Sequence, residues 1–345
     1  MNRLLTILIA LTLIVSTRAS AADVQNNDDP FLKSVDLTDL GSLSVQDNQT
    51  LKTWDSWASQ TLSRISGSSK YKGQPALGVL IDMSVHPEQW IHRPIVKIAN
   101  APLAIDIAKM PGLDDAEKKR LQKEKRISIA FWRSPATQAY VQEIYSRSMH
   151  KVDAINQIEG AVQTLEGMMQ SSAGLPDIAI VPPHETGGAW MTLTQAISES
   201  KEVRYPDDRL GPVANAWLKL TSAWTEKNPA AVKSSAAELA SALPKLSPDK
   251  YPSDLKRNAE VLYNKFYKLT LPGAALYFFA FVFYLMSARA GVRWPWRVAT
   301  IMFVLGLLVH TAGVGVRWWL VQKSTDSWFY AIPIKNQFEA VMMSV

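Results

Sequence analysis

The sequence predicts a mainly α-helical protein: an exported helical domain followed by a transmembrane helical segment with two complete spans and the start of a third. Three observations predict it. An apolar run near the N-terminus ends in a small-residue site, and two longer uncharged apolar stretches lie near the C-terminus. Between them, apolar residues recur at helical spacing and are punctuated by Pro, Gly and Ser. The 345 residues are 47% apolar and 20% charged, ample for a packed core, which excludes disordered and collagen-like classes. Cysteine is absent, so disulfide frameworks, thiolate metal sites and cysteine nucleophiles are excluded together.

Residues 1–21 read as a signal peptide. Arg3 supplies the positive flank, Leu4 to Val15 is a run of twelve residues, and Ala19-Ser20-Ala21 has the small-x-small pattern of a cleavage site. Twelve residues at about 1.5 Å each fall short of a hydrocarbon core of about 30 Å. A short uncleaved anchor is the alternative, and on either reading the residues that follow are exported.

Residues 22–268 form the extracytoplasmic, mainly helical domain, with a polar, flexible lead to about residue 40. Asp114 or Asp115 caps a helix through Lys118, Lys119 and Arg120 that ends near Ser134-Pro135. A long helix follows, with Val141, Tyr145, Met149, Val152, Ile155, Ile158, Val162, Leu165 and Met169 on one face. Ile178 to Val181 predicts a short strand, and Thr192 a helix start. Asn228-Pro229 is an N-cap and N1 pair opening a helix with Val232, Ala236, Leu239 and Leu243 inward, stopped by Pro244.

Residues 269–345 form the transmembrane region. Leu269–Met286 and Val298–Val316, 18 and 19 residues, suit spanning helices. The loop from Ser287 to Arg297 holds Arg289, Arg293 and Arg297 and no acid, which assigns it to the cytoplasmic side. The large domain is therefore expected on the outer side of that membrane. Phe338 to Val345 begins a further apolar run. It is either an interfacial tail or a partial span opening a longer membrane protein.

The net charge of +6 divides along the same lines. Arg3 and Arg18 supply two, and residues 269–345 supply four, with six basic residues against Asp326 and Glu339. Residues 22–268 are balanced, so the basic character does not imply nucleic acid.

No phosphate-binding, dinucleotide, zinc-protease or nucleophile-elbow motif occurs. His86 and His92 flank Trp90 and suggest either a metal pair without a third ligand or a surface loop anchored by the indole. His150 falls in a patterned helix, and His184 precedes a Gly-rich loop. His310 lies inside a span, where an ionisable group is costly and faces protein or cofactor. Imidazole there is a metal ligand, as in axial haem ligation, or one half of a helix–helix hydrogen bond. Trp294, Trp296, Trp318, Trp319 and Trp328 gather near the membrane as an aromatic belt, and Trp318-Trp319 also offer a flat platform.

One group of residues resembles a known family. His310-Thr-Ala-Gly313, Arg317-Trp318, then Pro333, Asn336, Phe338 and Glu339-Ala340 resemble the cytochrome c assembly proteins of the CcsA/ResC type. These form the haem-handling half of system II cytochrome c synthase. The stretches from Leu43 to Ser66 and from Glu260 to Phe266 are similar to the extracytoplasmic region of the fused synthases. The resemblance implies a membrane component of cytochrome c biogenesis that assists delivery of haem b to apocytochrome c, beside other membrane assembly subunits. It implies His310 as an iron ligand and Arg317, Trp318, Asn336 and Glu339 as cofactor-binding residues. The family's Trp-rich haem-binding signature does not occur, so haem lyase activity is not expected of these residues alone. A membrane-anchored extracytoplasmic scaffold without catalytic activity is the alternative.

Overall fold

Short polar residues decide where the helices begin, and the structure follows them closely. A computed structural model describes residues 29–47, 50–171, 174–184, 188–198, 207–266 and 270–321. Within these the protein is mainly helical, with sixteen helices. The expected signal peptide and the run from Phe338 lie outside the described residues.

Helices α1 (Pro30–Ser34) and α2 (Thr38–Gly41) open the fold and bury Phe31, Leu32 and Leu40. The expected flexible lead to residue 40 is thus helical from Pro30, because these three apolar side chains reach the core. Strands β1 (Ser44–Asp47) and β2 (Thr50–Thr53) pair antiparallel, Ser44 opposite Thr53. Thr53 then caps α3 (Trp54–Ser66), which ends at Gly67 in the left-handed region with φ 72°. A Cβ there would meet the Lys97 side chain at 2.4 Å, so glycine is required on both grounds.

The strands β3 (Lys70–Tyr71) and β4 (Gln74–Pro75) form a small ribbon before α4 (Ala76–Val85) and α5 (Pro87–Trp90). Next come β5 (Val96–Lys97), α6 (Ala101–Ile107), capped by Asn100, and α7 (Asp115–Lys123), capped by Asp114. The helix expected to reach Ser134 stops at Lys123. Lys125 turns with φ 53°, and β6 (Arg126–Ile127) pairs with β5. Two serine caps restart the chain, Ser128 for α8 (Ile129–Arg133) and Ser134 for α9 (Pro135–Arg147).

The long patterned helix is divided. After α9 the backbone breaks at Ser148, passes through a 3₁₀ turn (Met149–Lys151) and resumes as α10 (Val152–Met169). Tyr145 and Met149 keep the spacing yet are exposed. The break turns Lys151 inward, where its ammonium pairs with Asp106. Ile178 to Val181 makes isolated bridges instead of a strand, since Gln46 N–H donates to Ala179 and Val181 exchanges two bonds with Met191.

Thr192 and Gln195 bond each other's backbone N–H at the start of α11 (Leu193–Ser198), a reciprocal cap. Helices α12 (Asp207–Thr225) and α13 (Pro229–Leu246) pack together. Asn228 accepts from Ala231 N–H as expected, and Val232, Ala236, Leu239 and Leu243 are buried. The helix runs two residues past Pro244, close enough to its end to forfeit little.

The core surrounds α4, whose residues Ala76 to Ser84 are all buried and which packs against α3, α10 and α12. A helix buried on every side must be apolar all round. Asp82 and Ser84 are the exceptions, and both are satisfied: Trp90 and Trp224 donate to the two Asp82 oxygens at 2.8 and 3.1 Å, and Ser84 donates to the Leu80 carbonyl at 3.2 Å. Trp54 stacks on Trp217 at 6.0 Å, and Phe31 meets Trp224 edge-on at 5.2 Å.

Helix α14 (Asp254–Phe266) leads to α15 (Thr270–Ala290) and α16 (Arg293–Val321). The last two are long and apolar enough to cross a membrane. Only 11% of the residues in each apolar window are buried, which separates them from the core helix of a water-soluble fold. Both outrun the expected spans, because the Arg-containing loop is itself helical on either side of Gly291, φ 64°. They pack as an antiparallel hairpin, Tyr277 against Phe303 at 5.6 Å and Tyr284 hydrogen-bonded to Thr300 at 3.0 Å.

Candidate functional site

Three of the five candidate residues, His310, Arg317 and Trp318, lie on α16. Asn336 and Glu339 lie outside the described residues. His310 and Arg317 are seven positions apart, two helical turns, so they share a face with a rise of about 10 Å between them. Gly306 and Gly313 occupy the same stripe, four residues before and three after His310.

The stripe changes character along its length. At Gly306 an added Cβ would lie 2.9 Å from the Tyr277 ring, so α15 covers the face there. Gly273 then approaches Val309, with 3.9 Å to a Cβ built on the glycine. At Gly313 no described residue lies within 4 Å. His310 stands where the cover ends. Its imidazole is exposed and makes no hydrogen bond to a described residue, so the expected helix–helix bond is not made within them. Such an imidazole keeps a lone pair for a metal, and the open glycine beside it leaves room for a flat ligand. Trp318 sits about 100° round the helix from Arg317. Trp319 beyond it is exposed, as are Trp294 and Trp296 at the opposite end.

The globular part holds its ionisable groups in pairs. Arg133 forks onto Glu166 at 2.7 Å twice and reaches Glu159, which also accepts from Trp132. The Glu166 and Glu159 carboxylates hold the guanidinium above its ordinary pKa despite its burial. Asp106, between Lys151 and Lys109, is held below the usual carboxylate range by both ammoniums. It edges an open cavity of about 180 Å³ with Tyr140, Glu143 and Arg147. Glu260 accepts from Thr53 N–H at 2.9 Å, and burial pushes its carboxyl above the ordinary value.

No group of three or more His, Asp or Glu close enough to hold an ion occurs among the described residues. Trp90 is fully buried and anchors the loop between His86 and His92 through Asp82. His150 is exposed on the 3₁₀ turn. Asp82, Glu260 and the Arg133 cluster were not singled out by sequence. The one available signal was a lone acid in the apolar run Ala76 to Val85.

No protein-family model matches the chain, and no curated protein matches its sequence.

Proposed function

We propose that the protein is a membrane component of cytochrome c biogenesis that assists haem delivery to apocytochrome c on the outer face of a membrane. One observation carries the reading. The motif residues His310, Gly313 and Arg317 fall on one stripe of α16 that α15 covers below His310 and leaves open above it. Pro333, Asn336 and Glu339 keep the family's spacing among themselves, after a longer segment from Arg317.

The donor set suits haem b. The His310 imidazole would ligate the haem iron. Arg317 would pair with a propionate, since guanidinium matches a carboxylate bidentately. Trp318 would pack against the haem, and Asn336 and Glu339 would hydrogen-bond in the outer vestibule. When bound, haem supplies the iron and the vinyl groups that join apocytochrome thiols. These residues hold and orient it, and the proposal does not assign them the ligation chemistry. Their partners are haem, apocytochrome c and further membrane assembly subunits.

Sidedness follows from charge. Arg289, Arg293 and Arg297 cluster at the α15–α16 turn, the end of the hairpin away from the globular domain. The turn belongs inside and the domain outside, on the periplasmic side of a bacterial inner membrane.

The test is spectroscopic. The full chain in detergent, titrated with haem, is expected to give a Soret band that His310→Ala abolishes or shifts. No Soret band, or one unchanged in His310→Ala, overturns the ligand role and favours a membrane-anchored scaffold.

A further inference from the structure

Helix α14 is amphipathic the wrong way round for a helix on a water-soluble domain. Arg257 is buried, with its guanidinium over the Tyr251 ring at 5.2 Å and donating to the Ser42 carbonyl at 3.2 Å. Glu260, three residues on, reaches the cap of α3 at Thr53. Arg257 and Glu260 therefore point into the protein, while Asp254 and Asn258 stay exposed. Leu255 and Leu262, seven residues apart on the opposite face, are 72% and 56% exposed. An ordinary surface helix does the reverse, and an apolar stripe left open marks a surface that something covers.

The position of α14 says what covers it. Only three residues separate its end from α15. Besides β2 and α3, it packs against α16. Because α15 and α16 are antiparallel, the last turns of α16 lie at the end where α15 begins, the end α14 joins. The 29 residues of α16 extend about 43 Å at about 1.5 Å each, beyond a hydrocarbon core of about 30 Å. Its final turns therefore stand in the headgroup layer, and α14 lies beside them with leucines facing out.

We propose that α14 is an interfacial membrane helix. Leu255 and Leu262 lie in the boundary between headgroups and acyl chains, while Arg257 and Glu260 bolt the globular domain to its upper side. This arrangement meets the requirements of a helix lying in the plane of a bilayer surface. It would hold the domain flat against the membrane instead of on a loose tether. The inference rests on α15 and α16 crossing that membrane, and it does not depend on haem.

The chain has no cysteine, so single cysteines report without background. Leu255→Cys, Leu262→Cys and, within α15, Phe281→Cys each carry an environment-sensitive fluorophore on the full chain in phosphatidylcholine vesicles. The lipids are spin-labelled either near the headgroup or near the chain end. Labels at 255 and 262 are expected to be quenched at least twofold by shallow spin labels and less by deep ones, with little access to iodide. The label at 281 should show the opposite depth. If 281 is quenched and neither α14 site is, a protein surface covers the helix and the inference falls alone. Quenching at 262 without 255 means the helix rises off the bilayer, which also overturns it. No quenching at 281 overturns the membrane reading and the inference together.

Discussion

At the scale of residues, several buried polar groups meet partners from distant parts of the chain. Asp82 sits in an otherwise apolar helix, where an unpaired carboxylate would cost several kcal/mol. Two indole N–H groups from distant parts of the chain, Trp90 and Trp224, converge on it. Tyr251, buried and pushed up to about 12, accepts from Ser44 N–H. Glu260 differs in direction. Burial raises its carboxyl above the ordinary range, outweighing the hydrogen bonds from Thr53 and Ser56 and the charge of Lys52. The fold therefore prefers the protonated form. Its contribution is fully present below the unfolded value of about 4.3 and is lost as pH rises through the raised one. Glu260→Gln keeps an acceptor for Thr53 and never ionises. It should melt above the parent at neutral pH and together with it below about pH 4, followed by tryptophan fluorescence of the full chain in detergent. A parent more stable than the variant at neutral pH would contradict this sign.

At the scale of elements, starts were more legible than ends. Asp114, Thr192 and Asn228 each cap the helix expected of them, because a cap is a local bond between a side chain and the N–H groups two or three residues on. Breaks were less legible. The apolar spacing runs unbroken across Ser148, but Lys151 must turn in to meet Asp106, which lies far away in sequence. The candidate site divides in the same way. Seven-residue spacing already set His310 and Arg317 on one face, whereas which part of that face α15 covers depends on Tyr277 and Gly273. The two glycines of the stripe should accordingly behave differently. Gly306→Val should drive the Tyr277 ring away and loosen the hairpin, costing about 1–3 kcal/mol for an overpacked contact. Gly313→Val, with no described residue within 4 Å, should cost little. Thermal aggregation of the detergent-solubilised chain distinguishes them, and equal effects would show that α15 does not seat on Gly306. The melting of the globular core, followed by its tryptophans, should be unchanged in both, since that core ends at Tyr251.

At the scale of the whole molecule, charge and hydropathy sort the chain into a balanced globular part and an apolar hairpin with a basic turn. On the proposed sidedness, Ser287→Cys at that turn should react with impermeant maleimide only after the cytoplasmic side is opened. A cysteine at exposed Glu238 should react from outside, and the reverse pattern would invert the topology. The sequence by itself determined the helical class, the caps and the two apolar helices, because these depend on neighbours within a turn or two or on composition over some twenty residues. Only the tertiary structure decided that Asp82 is satisfied by two indoles, that the stripe around His310 opens at Gly313, and that α14 turns Arg257 and Glu260 inward while Leu255 and Leu262 stay exposed. Each of these depends on residues brought together from distant parts of the chain, and no local pattern records which partner arrives.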